Sequence, residues 1–364
     1  MAYTAPWAEE ESTLTALTAF AEEIVMDVGL GPTIRYHKDR PRPLPEVYDE
    51  FLDEFILGDK LGYSHIWLPE HHFTYDAHNP SALPILAALA RQTDRIRLGT
   101  YILLLAFHHP ILVAEDAAVV DILSHGRLDL AVGAGPMEQE CEVFGVPRQE
   151  TFGRTYEALE VIQKCWTEER FSHQGKYFQF DNVEVTTKPV QQPHPPVYMA
   201  AFGPQSAARA ARRGYHLAMG LGPSHDVYVS ALREAGRNPA DHRFVSGPIG
   251  IHLADTTKQA WDEAEEALHT WVSFYVDRGS PVGRGLPPVG KLREKNFAFG
   301  GMPFMVGSAD EVGEKMRTMF RHAPLDELVL YFHPPGMATE VARRAMTMFA
   351  EQIMPEAREW GIAN

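Results

Sequence analysis

The chain has 364 residues, of which 45% are hydrophobic and 23% are charged, and its formal net charge at neutral pH is −16. This negative balance argues against nucleic acid or an anionic membrane as the main partner. The two cysteines cannot build a disulfide framework, and the sequence shows neither a secretory leader nor an apolar run of the roughly 18–20 residues that cross a bilayer, so we expect a cytoplasmic protein.

Short apolar runs alternate with longer amphipathic segments along the chain. The predicted strands cover residues 24–30, 64–68, 96–103, 128–133, 197–200, 216–220, 247–253 and 327–332. The predicted helices cover residues 44–61, 81–91, 110–124, 151–167, 204–213, 224–235, 257–272, 308–321 and 339–359. Eight alternations favour an α/β fold in which eight parallel strands close into a (β/α)8 TIM barrel. A doubly wound open sheet is the alternative, although it would need fewer units.

The domain organisation follows from this alternation. We predict an N-terminal extension over residues 1–23 and one barrel domain over residues 24–364. Residues 168–196 combine a glycine, four aromatic residues and four prolines, which predicts a hairpin insertion. Residues 278–305 hold six glycines and four prolines with little periodicity. Because a long irregular loop in a compact domain is usually functional or disordered, we take this segment as a candidate mobile lid over the C-terminal face of the strands.

Histidines follow the second and third predicted strands. In a barrel, residues just past the C-terminal ends of the strands surround the active site, and this rule selects Glu70, His71, His72 and His108. His71 or His72 is a candidate general acid or base, since histidine titrates near neutral pH; a buried structural histidine is the alternative for either. A metal site is a further alternative, but no zinc-type spacing is present and adjacent histidines on an extended segment point to opposite sides, so we predict no metal ligands.

Residues near the other strand ends suggest ligand contacts. Gly203, Gln205 and Ser206 open a predicted helix, where free backbone N–H groups and the helix dipole favour a phosphate; ordinary capping is the alternative. Gly133 has no side chain and would allow a planar ligand to approach closely. Tight packing of the turn after the strand is an equally common role for such a glycine. Residues 100–102 lie inside the third predicted strand and would line the barrel mouth. The predicted substrate-pocket residues are His72, Phe107, Met137, Phe202 and Phe304.

Seven short segments occur in a particular order along the chain. They are residues 68–73 (LPEHHF), 96–100 (IRLGT), 109–110 (HP), 121–127 (DILSHGR), 133–135 (GAG), 197–201 (VYMAA, leading to Ser206) and 306–312 (VGSADEV). This ordered set resembles the bacterial luciferase-like flavin-dependent monooxygenase family over about residues 24–359. The resemblance implies that reduced FMN (FMNH2) lies across the barrel mouth and reacts with O2 to give a C4a-peroxyflavin that oxygenates a substrate.

Carried over by position, the resemblance assigns roles to single residues. It implies that His71 is the catalytic histidine, that Glu70 is its electrostatic neighbour, and that a non-proline cis peptide bond joins Tyr101 and Ile102 below the flavin ring. Ala134 stands where the luciferase catalytic subunit has a phosphate-binding arginine. The predicted cofactor-binding residues are Thr100, Tyr101, Ile102, Gly133, Ala134, Ala201, Gly203, Gln205 and Ser206.

The expected function is therefore a two-component monooxygenase, in which a separate flavin reductase supplies FMNH2 and O2 oxygenates a small apolar substrate. By analogy with the family, we expect this substrate to be an aldehyde or ketone. No nicotinamide-binding fingerprint is present. A homodimer is a family expectation.

A deazaflavin-dependent hydride-transfer enzyme is the main alternative function, and the sequence Glu70–His71–His72 favours FMN over the deazaflavin. A metal-dependent hydrolase and a non-catalytic flavin-binding barrel are further alternatives. The predicted strand ends carry no cluster of Arg or Lys, so they do not indicate a strongly anionic substrate. An anionic substrate stays an alternative because the irregular loop carries Arg284, Lys291, Arg293 and Lys295.

Overall fold

The structure, a computed structural model, describes residues 26–135, 137–218, 223–321 and 323–360. The predicted N-terminal extension, residues 1–23, lies outside the described residues, as do the first two residues of the first predicted strand. None of the described helices combines the length and the apolar character needed to cross a membrane.

Strands and helices alternate along the chain. The described strands are β1 (Asp27–Leu30), β2 (His65–Leu68), β3 (Arg97–Leu104), β4 (Leu128–Gly133), β5 (Phe171–Gln174), β6 (Gln179–Val183), β7 (Val197–Ala200), β8 (His216–Ala218), β9 (Phe244–Leu253), β10 (Ala298–Phe299), β11 (Met302–Pro303), β12 (Met305–Gly307) and β13 (Glu327–Tyr331). The described α-helices are α1 (Leu44–Leu61), α2 (Ala82–Ala90), α3 (Pro110–Leu123), α4 (Glu138–Phe144), α5 (Thr151–Thr167), α6 (Pro204–Arg213), α7 (Pro223–Glu234), α8 (Thr257–Asp277), α9 (Ala309–Phe320), α10 (Thr339–Gln352) and α11 (Met354–Ala357).

Eight of these strands form a closed parallel barrel. Their order is β13-β1-β2-β3-β4-β7-β8-β9, and β9 pairs with both β8 and β13, which closes the ring. The strands β2, β4 and β13 are buried along their whole length, as expected for parallel strands that are covered on both faces. The predicted (β/α)8 barrel is thus confirmed, and β12 adds a short parallel pairing to the end of β9.

Several element boundaries differ from the predicted ones. The helix α4 was not predicted, although Gly145 ends it in the left-handed conformation that glycine favours. Helix α8 runs on to Asp277, past its predicted end at residue 272, and stops directly before the irregular segment 278–305. The last predicted helix is divided at Ile353 into α10 and α11, because Pro355 cannot continue a hydrogen-bonded helix from within.

Two insertions lie outside the barrel wall. Strands β5 and β6 form an antiparallel hairpin within residues 168–196. The segment 278–305 contains the two-residue strands β10 and β11 and packs on α8, where the Leu292 amide donates to Glu265 at 2.7 Å and the ring of His269 lies 2.9 Å from the Pro287 carbonyl oxygen. Whether this segment opens as a lid stays a prediction.

A group of charged side chains fills the barrel at the N-terminal ends of its strands. The ring nitrogens of His65 lie 3.0 Å from Glu327 and 3.3 Å from Asp129, and all three residues are buried. Arg97 donates to Asp129 at 2.6 Å. Burial opposes protonation of His65, but Glu327 and Asp129 outweigh it and raise the pKa of His65 to about 9.

We expect the free energy of unfolding to fall as the pH rises from about 6.5 to about 9. Because His65 gains its carboxylate partners only on folding, the stabilisation is complete below the ordinary pKa of 6.5 and is lost as the pH passes the folded value. At 1.36 kcal/mol per pKa unit, the loss is at most about 3 kcal/mol. Urea unfolding across this pH range measures it, and His65→Gln should have a flatter profile. Equal slopes for both proteins would contradict the assignment.

Candidate active site

The C-terminal ends of β2, β3 and β4 bring the predicted catalytic residues together. Glu70 follows β2 and is buried; its Oε1 lies 2.6 Å from His72 Nε2 and 2.7 Å from His108 Nε2. Its Oε2 accepts the Leu104 backbone N–H at 2.9 Å. Burial disfavours the carboxylate, yet the hydrogen bonds from His108 and His72 lower the pKa of Glu70 to about 2. The side-chain partners of Glu70 are therefore His72 and His108, and among the described residues no hydrogen bond joins Glu70 to His71. The electrostatic role of Glu70 beside His71 that the resemblance implied stays a prediction.

The carboxylate that faces the His71 ring belongs to Glu140 on α4. Glu140 is wholly buried, and its Oε1 lies 3.8 Å from His71 Nδ1 and accepts the His72 backbone N–H at 3.1 Å. Neither His71 Nδ1 nor Glu140 Oε2 has a hydrogen-bond partner among the described residues. The His71 backbone N–H donates to the Asn79 carbonyl at 3.3 Å, which fixes the segment. A histidine with one free nitrogen beside a buried carboxylate is equipped to move a proton.

Aromatic rings surround His71 on its other sides. The ring centroid of His78 lies 4.5 Å away and that of Phe274, on α8, lies 5.3 Å away. Burial, with smaller contributions from His71 and Arg35, holds the pKa of His78 well below its usual value. His78 is therefore neutral near pH 7, and the packing leaves the His71 side chain only 13% exposed.

The predicted flavin-supporting residues lie where β3 and β4 meet. The non-proline cis peptide bond that the resemblance implies is present between Tyr101 and Ile102. A Cβ on Gly133 would stand 2.0 Å from Ile102 Cδ1, so a larger residue here would force the Ile102 side chain to move. Thr100 is wholly buried, and its hydroxyl donates to the Ala131 carbonyl at 2.7 Å and accepts the Ala131 N–H at 3.0 Å. The Thr100 hydroxyl thus ties β3 to β4.

The predicted phosphate turn opens helix α6. Ser206 Oγ donates to the Gly203 carbonyl at 2.8 Å and accepts the Gly203 N–H at 3.3 Å, which closes the turn. A Cβ on Gly203 would meet nothing within 4 Å, and Gln205 is exposed, so the start of the helix is open to a ligand. Ala201 is buried and its N–H bonds the Ala218 carbonyl at 3.0 Å. Ala134 is half-buried and brings no charge to the site.

The predicted substrate-pocket residues divide into separate places. Phe107 stacks on Phe144 at 5.0 Å, and Phe144 meets the His72 ring edge-on at 4.9 Å, which forms an aromatic wall. Met137 is buried at the start of α4, and Phe202 is 65% exposed. Phe304 is buried in a second cluster, with Trp271 and Phe297 at 6.2 and 6.1 Å. The structure therefore places His72 and Phe107 on one aromatic wall, through Phe144, and it places Phe304 in a separate cluster.

The group of Glu70, His72 and His108 also has the composition of a metal site. One ligand atom from each lies within 4.8 Å of the other two. Two histidines and one carboxylate are a known ligand set for divalent iron. Hydrogen bonds already satisfy this carboxylate, so the geometry does not require an ion, and the expectation of no metal ligands stays a prediction.

A closed parallel barrel with its polar residues gathered at one mouth is an enzyme scaffold, and the order of those residues along the chain selects one family. The chain belongs to the luciferase-like monooxygenase family, whose model matches residues 31–327. The resemblance predicted from the sequence is therefore confirmed.

Individual relatives point to two cofactor types. The chain is 34% identical over 337 residues to the oxygenase component of a flavin-dependent trigonelline monooxygenase from Acinetobacter baylyi, an alignment that covers 86% of this chain and 91% of the relative. It is 26% identical over 324 residues to an F420-dependent glucose-6-phosphate dehydrogenase from Amycolatopsis mediterranei, covering 86% and 95%. Among solved structures, the monooxygenase RslO1 from Streptomyces bottropensis matches with a TM-score of 0.79 and 25% identity, covering 91% of this chain and 99% of that one.

Proposed function

We propose that this protein is the oxygenase of a cytoplasmic two-component system, which receives FMNH2 from a separate reductase and uses O2 to oxygenate a small organic substrate. The observation that carries the proposal is the dyad of His71 and Glu140, a proton-transfer group that the segments after β2 and β4 hold together at the C-terminal ends of the strands. The higher identity to a flavin-dependent monooxygenase than to an F420-dependent dehydrogenase supports the choice of FMN.

The residues present fit a flavin mononucleotide. In this proposal Ile102, which packs against Gly133, supports the ring, and the first turn of α6, which Gly203 leaves open, receives the phosphate. Because Ala134 supplies no charge, the helix dipole and the Ser206 turn would carry most of the phosphate binding. We therefore expect modest affinity for the cofactor.

Reduced FMN would supply the two electrons that convert one atom of O2 to water while the other atom enters the substrate. In this proposal His71 moves the proton that this exchange requires, and Glu140 orients its ring. The aromatic wall of Phe107 and Phe144 limits the access of water to the reacting groups. Glu70 stays charged and holds His72 and His108 in place.

The test is an anaerobic titration with photoreduced FMN, followed by rapid mixing with oxygenated buffer. We expect saturable binding, slower flavin oxidation than in free solution, and reduced release of hydrogen peroxide. Failure to bind reduced FMN, together with binding of reduced F420 and no oxygen consumption, would instead support the deazaflavin-dependent hydride-transfer alternative.

The proposal includes a homodimer. Helix α3 exposes Leu112, Val119 and Ile122 by 60%, 44% and 41%, and their spacing places them on one face. Apolar residues that line one face of a surface helix are typical of an interface. Sedimentation velocity at several concentrations tests the assembly.

A further inference from the structure

Arg278 is the first residue after helix α8 and the first residue of the segment 278–305. Its Nη2 donates to the His72 carbonyl at 3.0 Å, and its Nη1 donates to the Phe73 carbonyl at 3.4 Å. Neither carbonyl accepts a backbone N–H in the part of the chain that the structure describes. One guanidinium therefore supplies the hydrogen-bond partner of two successive carbonyls, in the loop that follows β2 and carries the proposed catalytic histidine.

The loop that receives these hydrogen bonds has an unfavourable backbone conformation. Phe73 has a backbone φ of 55°, in the left-handed region that bulky residues rarely adopt. The Phe73 side chain is 45% exposed, so its own packing gives this conformation limited support. Conformations of this kind persist where neighbouring groups fix them. The two bonds from Arg278 hold the carbonyls on both sides of the Phe73 Cα atom, and they fix the chain directly after His71.

The last turn of α8 also forms part of the wall around His71. The Phe274 ring lies 5.3 Å from the His71 ring and 5.3 Å from the His78 ring, and the Tyr275 ring lies 6.0 Å from the His71 ring. The Cζ atom of Arg278 lies 5.2 Å from the centroid of Phe274. A displacement of this helix end would therefore release the two carbonyls and uncover His71 in the same step.

Other polar contacts at the end of α8 are weaker. The Tyr75 hydroxyl donates to Asp277 Oδ2 at 3.3 Å, and Lys38 Nζ lies 3.8 Å from the same oxygen. The side chains of Lys38 and Asp277 are 42% and 47% exposed, and exposed ion pairs contribute little. Gly279 follows with a φ of 72°, so the chain leaves the helix direction there. Among the described residues, Arg278 is therefore the main polar connection between the start of the segment 278–305 and the loop after β2.

We propose that Arg278 is a positioning residue, which couples the docking of the segment 278–305 to the geometry of the loop that carries His71. This inference rests on the proposed function, since the role of His71 belongs to it. With the segment docked, the guanidinium holds the backbone after His71, and a small misplacement of a reacting group costs much of the rate. The sequence gave no signal for this role, because Arg278 lies 206 residues from His72 along the chain.

The first test is hydrogen exchange on the protein without flavin or substrate. Arg278→Met keeps an unbranched side chain beside Phe274 and removes the donors to both carbonyls. We expect the amides of residues 71–79 and of residues 278–286 to exchange at least about tenfold faster, while the barrel strands keep their protection. The control is Arg321→Met, because Arg321 also follows the last residue of a long helix, α9, and is exposed. This variant should exchange like the wild type in both ranges.

A conservative variant separates the two hydrogen bonds from the charge. Arg278→Lys keeps the positive charge but lacks the planar fork that reaches both carbonyls, so both ranges should still exchange at least about threefold faster than in the wild type. If Arg278→Met does not fold, as urea unfolding would show, this milder variant carries the test. Wild-type exchange in Arg278→Lys, or in a folded Arg278→Met, would overturn the inference.

The second test is the reaction of bound FMNH2 with O2, measured by rapid mixing. Arg278→Met should bind FMNH2 within about twofold of the wild-type affinity, since Arg278 has no contact with the phosphate turn, and it should reoxidise the bound flavin at least about tenfold faster. Faster amide exchange with an unchanged reoxidation rate would overturn the positioning role. A protein that shows the coupled exchange but does not bind FMNH2 would refute the proposed function and leave the connection made by Arg278 intact.

Discussion

Replacement of His71 by asparagine is expected to lower turnover by roughly two to four orders of magnitude, because the variant loses the group that moves the proton. Its affinity for reduced FMN should change by less than about twofold, since the phosphate turn and the Ile102–Gly133 support do not involve this side chain. The measurement is the amount of product formed and of hydrogen peroxide released for each reduced flavin consumed. A fall in product with a rise in peroxide would locate the defect in proton transfer.

The matched control is His125→Asn. His125 is exposed in the turn before β4, at the opposite end of the barrel, and its backbone φ of 57° is one that asparagine tolerates well. This variant should retain wild-type turnover. If His71→Asn also retained it, the catalytic role of His71 would be wrong.

Glu140 should influence turnover only through His71. Glu140→Gln is expected to lower kcat by about ten- to a hundredfold with little change in KM, since it removes the charge 3.8 Å from His71 Nδ1. In a His71→Asn background the same change should cost less than about twofold, because the residues then share no function. Glu142→Gln, on the same helix but exposed, is the control. Equal losses from Glu140→Gln in both backgrounds would assign Glu140 a purely structural role.

The barrel itself was predictable from the sequence, because the alternation of short buried strands and amphipathic helices is a local pattern. The end of β2 was equally visible: the strand stops at Leu68, and the polar residues begin with Glu70. The rule that strand ends carry the active site then selected Glu70, His72 and His108, which the structure brings together because they follow their strands directly.

The partners within the site were not predictable in the same way. Glu140 lies 68 residues from His72 along the chain, on a short helix. Because the first turn of this helix is polar, the sequence did not indicate that the Glu140 carboxylate is buried. The resemblance implied Glu70 as the electrostatic neighbour of His71, but successive side chains on an extended segment point in different directions, and the hydrogen bonds of the Glu70 side chain join it to His72 and His108. The cis peptide bond at Tyr101 was expected from the resemblance alone, since no residue propensity indicates it.

Glu70→Leu is expected to lower the free energy of unfolding by roughly 3–5 kcal/mol, the usual cost of removing one partner from a buried charge network. The substitution leaves the Leu104 N–H and the rings of His72 and His108 without their shared acceptor. Urea unfolding near neutral pH measures the effect. Glu138→Leu, at an exposed position in the first turn of α4, should change stability by less than about 1 kcal/mol.

The pH dependence separates the charge of Glu70 from its packing. The pKa of Glu70 is lowered from 4.5 to about 2 on folding, so its carboxylate stabilises the protein above about 4.5, and this contribution disappears as the pH falls through about 2. The stability difference between wild type and Glu70→Gln, which is close in size and lacks the charge, should therefore narrow across that interval. A difference that stays constant from neutral to acid pH would mean that Glu70 acts by filling space, and the hydrogen bonds from His72 and His108 would then contribute little to the fold.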